Sequence, residues 1–154
     1  MKKKHYILLY VLVIASVLSC DKTEKKETEP IVISATPSIA LNKVSPKAIK
    51  EFDALTFTIA YTDGDGNLGD PDPDEKSLEL TDNREGLVHY FHIPPLAPEG
   101  ETISITGIFT VELEHIILID QQSDTEEATF SLRIKDRSGN WSNMVQSEVI
   151  TISK

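Results

Sequence analysis

The chain has 154 residues, 40% of them hydrophobic and 26% charged, with 15 basic side chains against 25 acidic ones and a formal net charge of −10. A chain of this size folds as one ordinary domain around a single core. Its excess of negative charge excludes nucleic acid and anionic lipid head groups as electrostatic partners, and its one cysteine excludes an internal disulfide.

The chain opens MKKKHYILLYVLVIASVLSC, in which Lys2, Lys3 and Lys4 precede an apolar stretch from Tyr6 to Leu18, and the small residue Ser19 precedes Cys20. This is the pattern of a secretory signal, and thirteen apolar residues fall short of the roughly 20 that a membrane-spanning helix needs. The stretch VLSC resembles the lipobox of bacterial lipoproteins, although Leu18 stands where a smaller or β-branched residue is commoner. That resemblance implies cleavage after residue 19 and a diacylglyceryl group on Cys20, which gives a solitary thiol a role. Removing residues 1–19 takes away three lysines and no acid, leaving 12 basic against 25 acidic side chains.

Residues 20–29 follow as the lipidated cysteine and a tether, DKTEKKETE, which carries charged residues and threonine and nothing apolar to bury. Its flexible reach is roughly 15–30 Å. Acidic, lysine-containing stretches after the lipidated cysteine resemble export signals of outer-membrane lipoproteins. The expected location is therefore the cell envelope, lipid-anchored to the outer membrane, with its periplasmic and surface faces both open.

Residues 30–154 form the expected folded domain, and there the hydrophobic period is two. Strands are predicted at IVIS 31–34, across 54–61 where Leu55, Phe57, Ile59 and Tyr61 share one face, at 77–80, 87–93 and 103–113, at 130–134, and at 149–153. SPKAIKEF at 45–52 reads as a brief turn of helix. Parity sends Phe57, Tyr61, Phe109 and Phe130 inward. About seven short strands without covering helices predict an all-β, immunoglobulin-like antiparallel β-sandwich.

The lipobox cysteine, FTIAYTDGDGNLGD, IPPLAPEGETISITGIFTVEL and FSLRIKDRSGNWSN occur here in that order. In this combination the chain resembles a family of small, functionally uncharacterised bacterial lipoproteins with one Ig-like domain. The resemblance covers most of the mature chain and implies a fold and an envelope location. It implies no activity.

The loop YTDGDGNLGDPDPDE at 61–75 concentrates like charge. Asp63, Asp65 and Asn67 follow a D-x-D-x-N pattern in which alternate side-chain oxygens can converge on a cation while glycines let the backbone curl. The loop departs from an EF-hand, with Leu68 at the sixth position, Asp74 at the twelfth and no flanking helix. A polar turn, in which Asp63 and Asn67 bond local amides, is the alternative. In the second loop, KDRSGNWSN at 135–143, Asp136 can accept following amides, and Gly139 or Asn140 can take a positive φ. If 53–61 is the second sandwich strand and 129–135 the sixth, both loops emerge at one end. Asp63, Asp65, Asn67, Asp70 and Asp136 then become candidate ligands for calcium, which takes six to eight oxygens.

Nothing points to catalysis. His89 and His92 differ in parity, His115 stands alone beside Glu114, and neither a zinc motif nor G-x-S-x-G occurs. The expected function is therefore a lipid-anchored, non-catalytic interaction or structural module, calcium-stabilised if the acidic loop binds the ion, that meets an envelope protein or glycan. A small-ligand or glycan-binding accessory lipoprotein is the alternative, and it calls for exposed aromatics. An aromatic content of 6% with inward parity favours the first, and Trp141 reads as a residue that packs its own hairpin.

Overall fold

A computed structural model describes residues 33–98 and 100–154. The signal at 1–19, Cys20, the tether at 20–29 and the first two residues of IVIS lie outside the described residues. The described chain forms ten strands: β1 (Ser38–Ser45), β2 (Ala48–Lys50), β3 (Leu55–Asp63), β4 (Leu78–Asp82), β5 (Leu87–Phe91), β6 (Ile105–Leu113), β7 (Thr125–Ala128), β8 (Phe130–Ile134), β9 (Val145–Gln146) and β10 (Ile150–Ser153). One sheet has the order β1-β3-β6, a second β5-β4-β8-β9 and a third β2-β10-β7.

The second and third sheets are continuous across a bulge. Only Thr129 separates β7 from β8, and between β10 and β9 the pairing slips by one residue. Phe130 spans this slip: its carbonyl accepts the Ser147 amide at 2.8 Å and its amide donates to Ser147 Oγ at 2.9 Å. β2 joins the edge by pairing in parallel with β10, so the chain leaves β1 in one sheet and crosses to the other. The result is an immunoglobulin-like β-sandwich, antiparallel apart from that one pairing.

Strict alternation builds the core. In β3 the odd residues Leu55, Phe57 and Ile59 are fully buried, and in β8 so are Phe130, Leu132 and Ile134. Phe57 and Phe130 meet across the sandwich edge to face, with centroids 5.4 Å apart and planes at 75°, a geometry that adds to their area burial. Tyr61 and Phe109, also expected inside, are half-buried at the rim of this core.

Two expectations need correction. Residues 45–52 form no helical turn; they carry β2 and a tight turn at 50–53. Ile33 and Ser34 belong to no strand; the first strand is β1 instead. Its pattern hid it, because a register shift between Leu41 and Lys43 interrupts the alternation and brings Val44 onto the same face as Ile39 and Leu41, which simple parity would not do.

The strand directions define two poles. β3 and β8 run toward the loops 64–77 and 135–144, where loop 92–104 also lies, and the described chain begins at this end, with the Ser34 carbonyl accepting the Gly64 amide at 2.9 Å. The opposite pole carries the turns at 51–54 and 83–86 and the loop 114–124.

Candidate functional site

The acidic loop is folded against its neighbours by its glycines. A Cβ at Gly64 would lie 2.4 Å from the Ile33 carbonyl oxygen, and one at Gly69, whose φ is +78°, would lie 2.1 Å from that of Pro94. Only glycine permits either approach. Leu68 is buried and bridges Asp136, and the Arg137 amide donates to the Asn67 carbonyl at 3.2 Å, so the two loops are adjacent.

Asp63 is completely buried at the end of β3. Its Oδ2 accepts the Asn67 amide at 2.9 Å, whereas Oδ1 is buried with no partner. Burial pushes this carboxyl above its ordinary range; the charges of Asp65 and Asp136 push it further, and the amides of Asn67 and Leu68 offset part of the rise. The Asn67 side chain donates to Asp65 Oδ2 at 2.9 Å and to Ser138 Oγ at 3.0 Å, which leaves its own Oδ1 buried and unpartnered. Asp136 is 3% exposed and caps its hairpin by accepting the amide and side chain of Asn140, and Gly139 there takes a φ of +87°.

Asp70 stands apart from this group. Its Oδ1 caps the Asp72 amide at 2.9 Å, and it borders a polar groove of about 300 Å³ with Glu75, Ser77, Lys135 and Arg137. Arg137 Nη1 donates to the Gly69 carbonyl at 2.8 Å, so this guanidinium is held on loop backbone. Trp141 lies under the Arg133 guanidinium, 4.2 Å from the ring centroid. Its ring is covered by a cation of its own sheet and offers no open platform on that side.

The far pole was not anticipated. Asp82, Arg84 and Glu126 form a paired network there: Arg84 donates to Asp82 Oδ2 at 2.6 Å, to Glu126 Oε2 at 2.7 Å and to the Ile117 carbonyl at 3.0 Å. Burial would raise the Glu126 carboxyl, but the amides of Ile119 and Asp120 and the Arg84 guanidinium outweigh it and hold the group below its ordinary range. Exposed apolar side chains stand on the turns and loop of this pole. Phe52 is 63% exposed, Leu87 59% and Ile117 48%, with Ile119 beside them.

Phe52 also has a φ of +71°, and His115, next to its partner segment, a φ of +56°. The Phe52 amide donates to the Ile116 carbonyl at 2.7 Å, and the turn is closed from Asp53 to Lys50. A bulky residue in this left-handed region is an outlier, of the kind concentrated at binding and switch sites. Exposed acids, among them Asp53, Glu85, Glu114 and Asp120, stand on the same turns and loop. Lys50 and Lys154 also stand at this pole, and Lys154 faces Asp124 at 3.5 Å. Two signals in the sequence could have marked this end. HIILID carries apolar residues on both faces instead of alternating, and Phe52 is an aromatic set between Glu51 and Asp53.

No protein-family model matches the chain, and no curated protein matches it. Among solved structures it is similar to a crystal structure of a mutant of the SrpA adhesin from Streptococcus sanguinis, at 18% identity and a TM-score of 0.40. The match covers 79% of this chain and 58% of that one.

Proposed function

We propose that the protein is a lipid-anchored module of the bacterial cell envelope that works by binding, with the far pole as its contact surface and a basic protein as its partner. The observation that carries this is the set of exposed apolar side chains Phe52, Leu87 and Ile117 at the end opposite the acidic loops. β3 runs the length of the domain with nine residues, or about 30 Å, so these side chains stand about that far from the acidic-loop pole. A clustered apolar surface framed by charge is the usual mark of a protein contact. The acids of this pole repel a second copy and anionic lipid alike and attract a partner whose apolar cleft is rimmed by lysine or arginine.

The glycan-binding alternative draws support from the polar groove beside Lys135 and Arg137, where Ser77 Oγ is buried and unpartnered. Arg133 over the Trp141 ring covers one face that such a ligand would stack on.

Photo-crosslinking in intact cells tests the assignment. A photoreactive residue at Phe52 or Ile117 should trap one basic protein, with a yield that falls as salt rises, while the same residue at Ser138 traps none. Crosslinks confined to Ser138 would move the contact to the groove. Metabolic labelling with a fatty acid tests the anchor: the wild type takes up label, Cys20→Ala does not, and an unlabelled wild type would overturn the lipid attachment.

A further inference from the structure

We propose that the acidic-loop pole holds a calcium ion, with Asp63 Oδ1 and Asn67 Oδ1 as its first ligands and Asp65 and Asp136 supplying flanking negative charge. The starting point is a mismatch in hydrogen bonding. Both Asp63 Oδ1 and Asn67 Oδ1 are buried acceptors without a donor, and they stand on the same turn, joined by the bond from the Asn67 amide to Asp63 Oδ2. The Asn67 amide cannot simply be flipped, because its nitrogen donates to Asp65 Oδ2, an acceptor that would repel an oxygen. Two orphaned acceptors on one turn ask for a group that takes lone pairs from both. Arg137 is not that group, since its guanidinium is directed at the carbonyls of Gly69 and Gly66.

The chemistry of the donors selects the ion. They are carboxylate and amide oxygens on an irregular loop, with neither histidine nor cysteine in the motif, which suits a hard cation. Among the described residues, no three acidic, histidine or cysteine side chains are gathered as a metal cage. Backbone carbonyls and water must therefore complete the shell, as they commonly do for calcium with its six to eight ligands in loose geometry. Magnesium demands a tight octahedron and fits poorly. The negative charges of Asp65 and Asp136, already felt at Asp63, favour any cation placed there.

The site stands independently of the partner proposed for the far pole. Its test is thermal melting and calorimetric titration of the full chain in detergent, with calcium chloride and, separately, magnesium chloride. Calcium should bind with a Kd of order 0.1–1 mM, as in extracellular modules, and raise the melting temperature, with magnesium at least tenfold weaker. Asp63→Asn should remove the calcium response while the variant still melts cooperatively. Asp65→Asn, at a half-exposed position, should weaken binding about tenfold and leave the calcium-free melting temperature within a degree of wild type. A wild type indifferent to calcium, or an Asp63→Asn variant that responds as the wild type does, overturns the site.

Discussion

The two poles of this sandwich handle buried acid in opposite ways. At the far pole two carboxylates, Asp82 and Glu126, close around one guanidinium, and each finds a charged donor within 2.7 Å. At the acidic-loop pole Asp63 is more deeply buried and has carboxylates, Asp65 and Asp136, where the other end has arginine. The first arrangement is complete within the protein. The second leaves buried acceptors without donors, and its carboxyl is pushed up where Glu126 is held down. A self-sufficient network makes a firm base on which to display Phe52 and Ile117, whereas an acceptor-rich turn is suited to take up a cation from outside.

Arg84→Met should produce the largest effect, because it turns the first pole into a copy of the second. It leaves Asp82 and Glu126, which are 11% and 14% exposed at their side chains, without their cation. Breaking a buried pair by removing one partner costs about 3–5 kcal/mol, to be read from urea denaturation at pH 7. A loss below about 1 kcal/mol would mean that solvent, not Arg84, satisfies these acids.

The same contrast has a pH signature. Glu126 has a folded pKa below its unfolded value of 4.5, so the stability it contributes is fully present above pH 4.5 and is lost as pH falls through 4.5 toward the folded pKa. Wild type should therefore lose stability on acidification over that range, and Glu126→Gln should flatten this part of the profile. In Arg84→Met the guanidinium's share of that lowering is gone while burial and the amides of Ile119 and Asp120 remain, so the acid-dependent loss should shrink and the gap to wild type should narrow as pH approaches 4. Parallel profiles for the two proteins would break the distinction between the poles.

Legibility in the sequence followed periodicity. β3 and β8 alternate without interruption and are buried on one face, so their extent and the inward set of Leu55, Phe57, Ile59, Phe130 and Leu132 could be read directly. The adjacency of the two loops then follows from topology, since the second and sixth strands of such a sandwich end at the same pole. β1 was hidden by its bulge, and the tight turn at 50–53 by a sequence, KAIKEF, whose spacing also suits a helix. The unpartnered oxygens of Asp63 and Asn67 depend on which donors reach them in three dimensions, and no spacing rule encodes that. Ile117 and Ile119 were hard to place for a related reason: in HIILID both faces are apolar, and only the contacts of Ile116 and Leu118 decide which face is inside.

Phe52→Gly should have the smallest effect on stability and the most telling one on function. The residue takes a φ of +71° in a turn closed between Lys50 and Asp53, at a position where turns of this kind ordinarily use glycine. Holding a side chain in the left-handed region costs about 1–2 kcal/mol. Glycine removes that strain but adds freedom to the unfolded chain worth about 0.4–1 kcal/mol, and an aromatic that is 63% exposed contributes little core packing. The net change should be a stabilisation of at most about 1 kcal/mol in denaturation, accompanied by loss of the crosslink formed through Ile117. Such a variant would show that the strained aromatic is retained for contact and not for folding. Destabilisation by more than about 1 kcal/mol would instead make Phe52 a packing residue of its turn, and the apolar surface of the far pole would then lose the anchor that distinguishes it from the acidic loops at the other end.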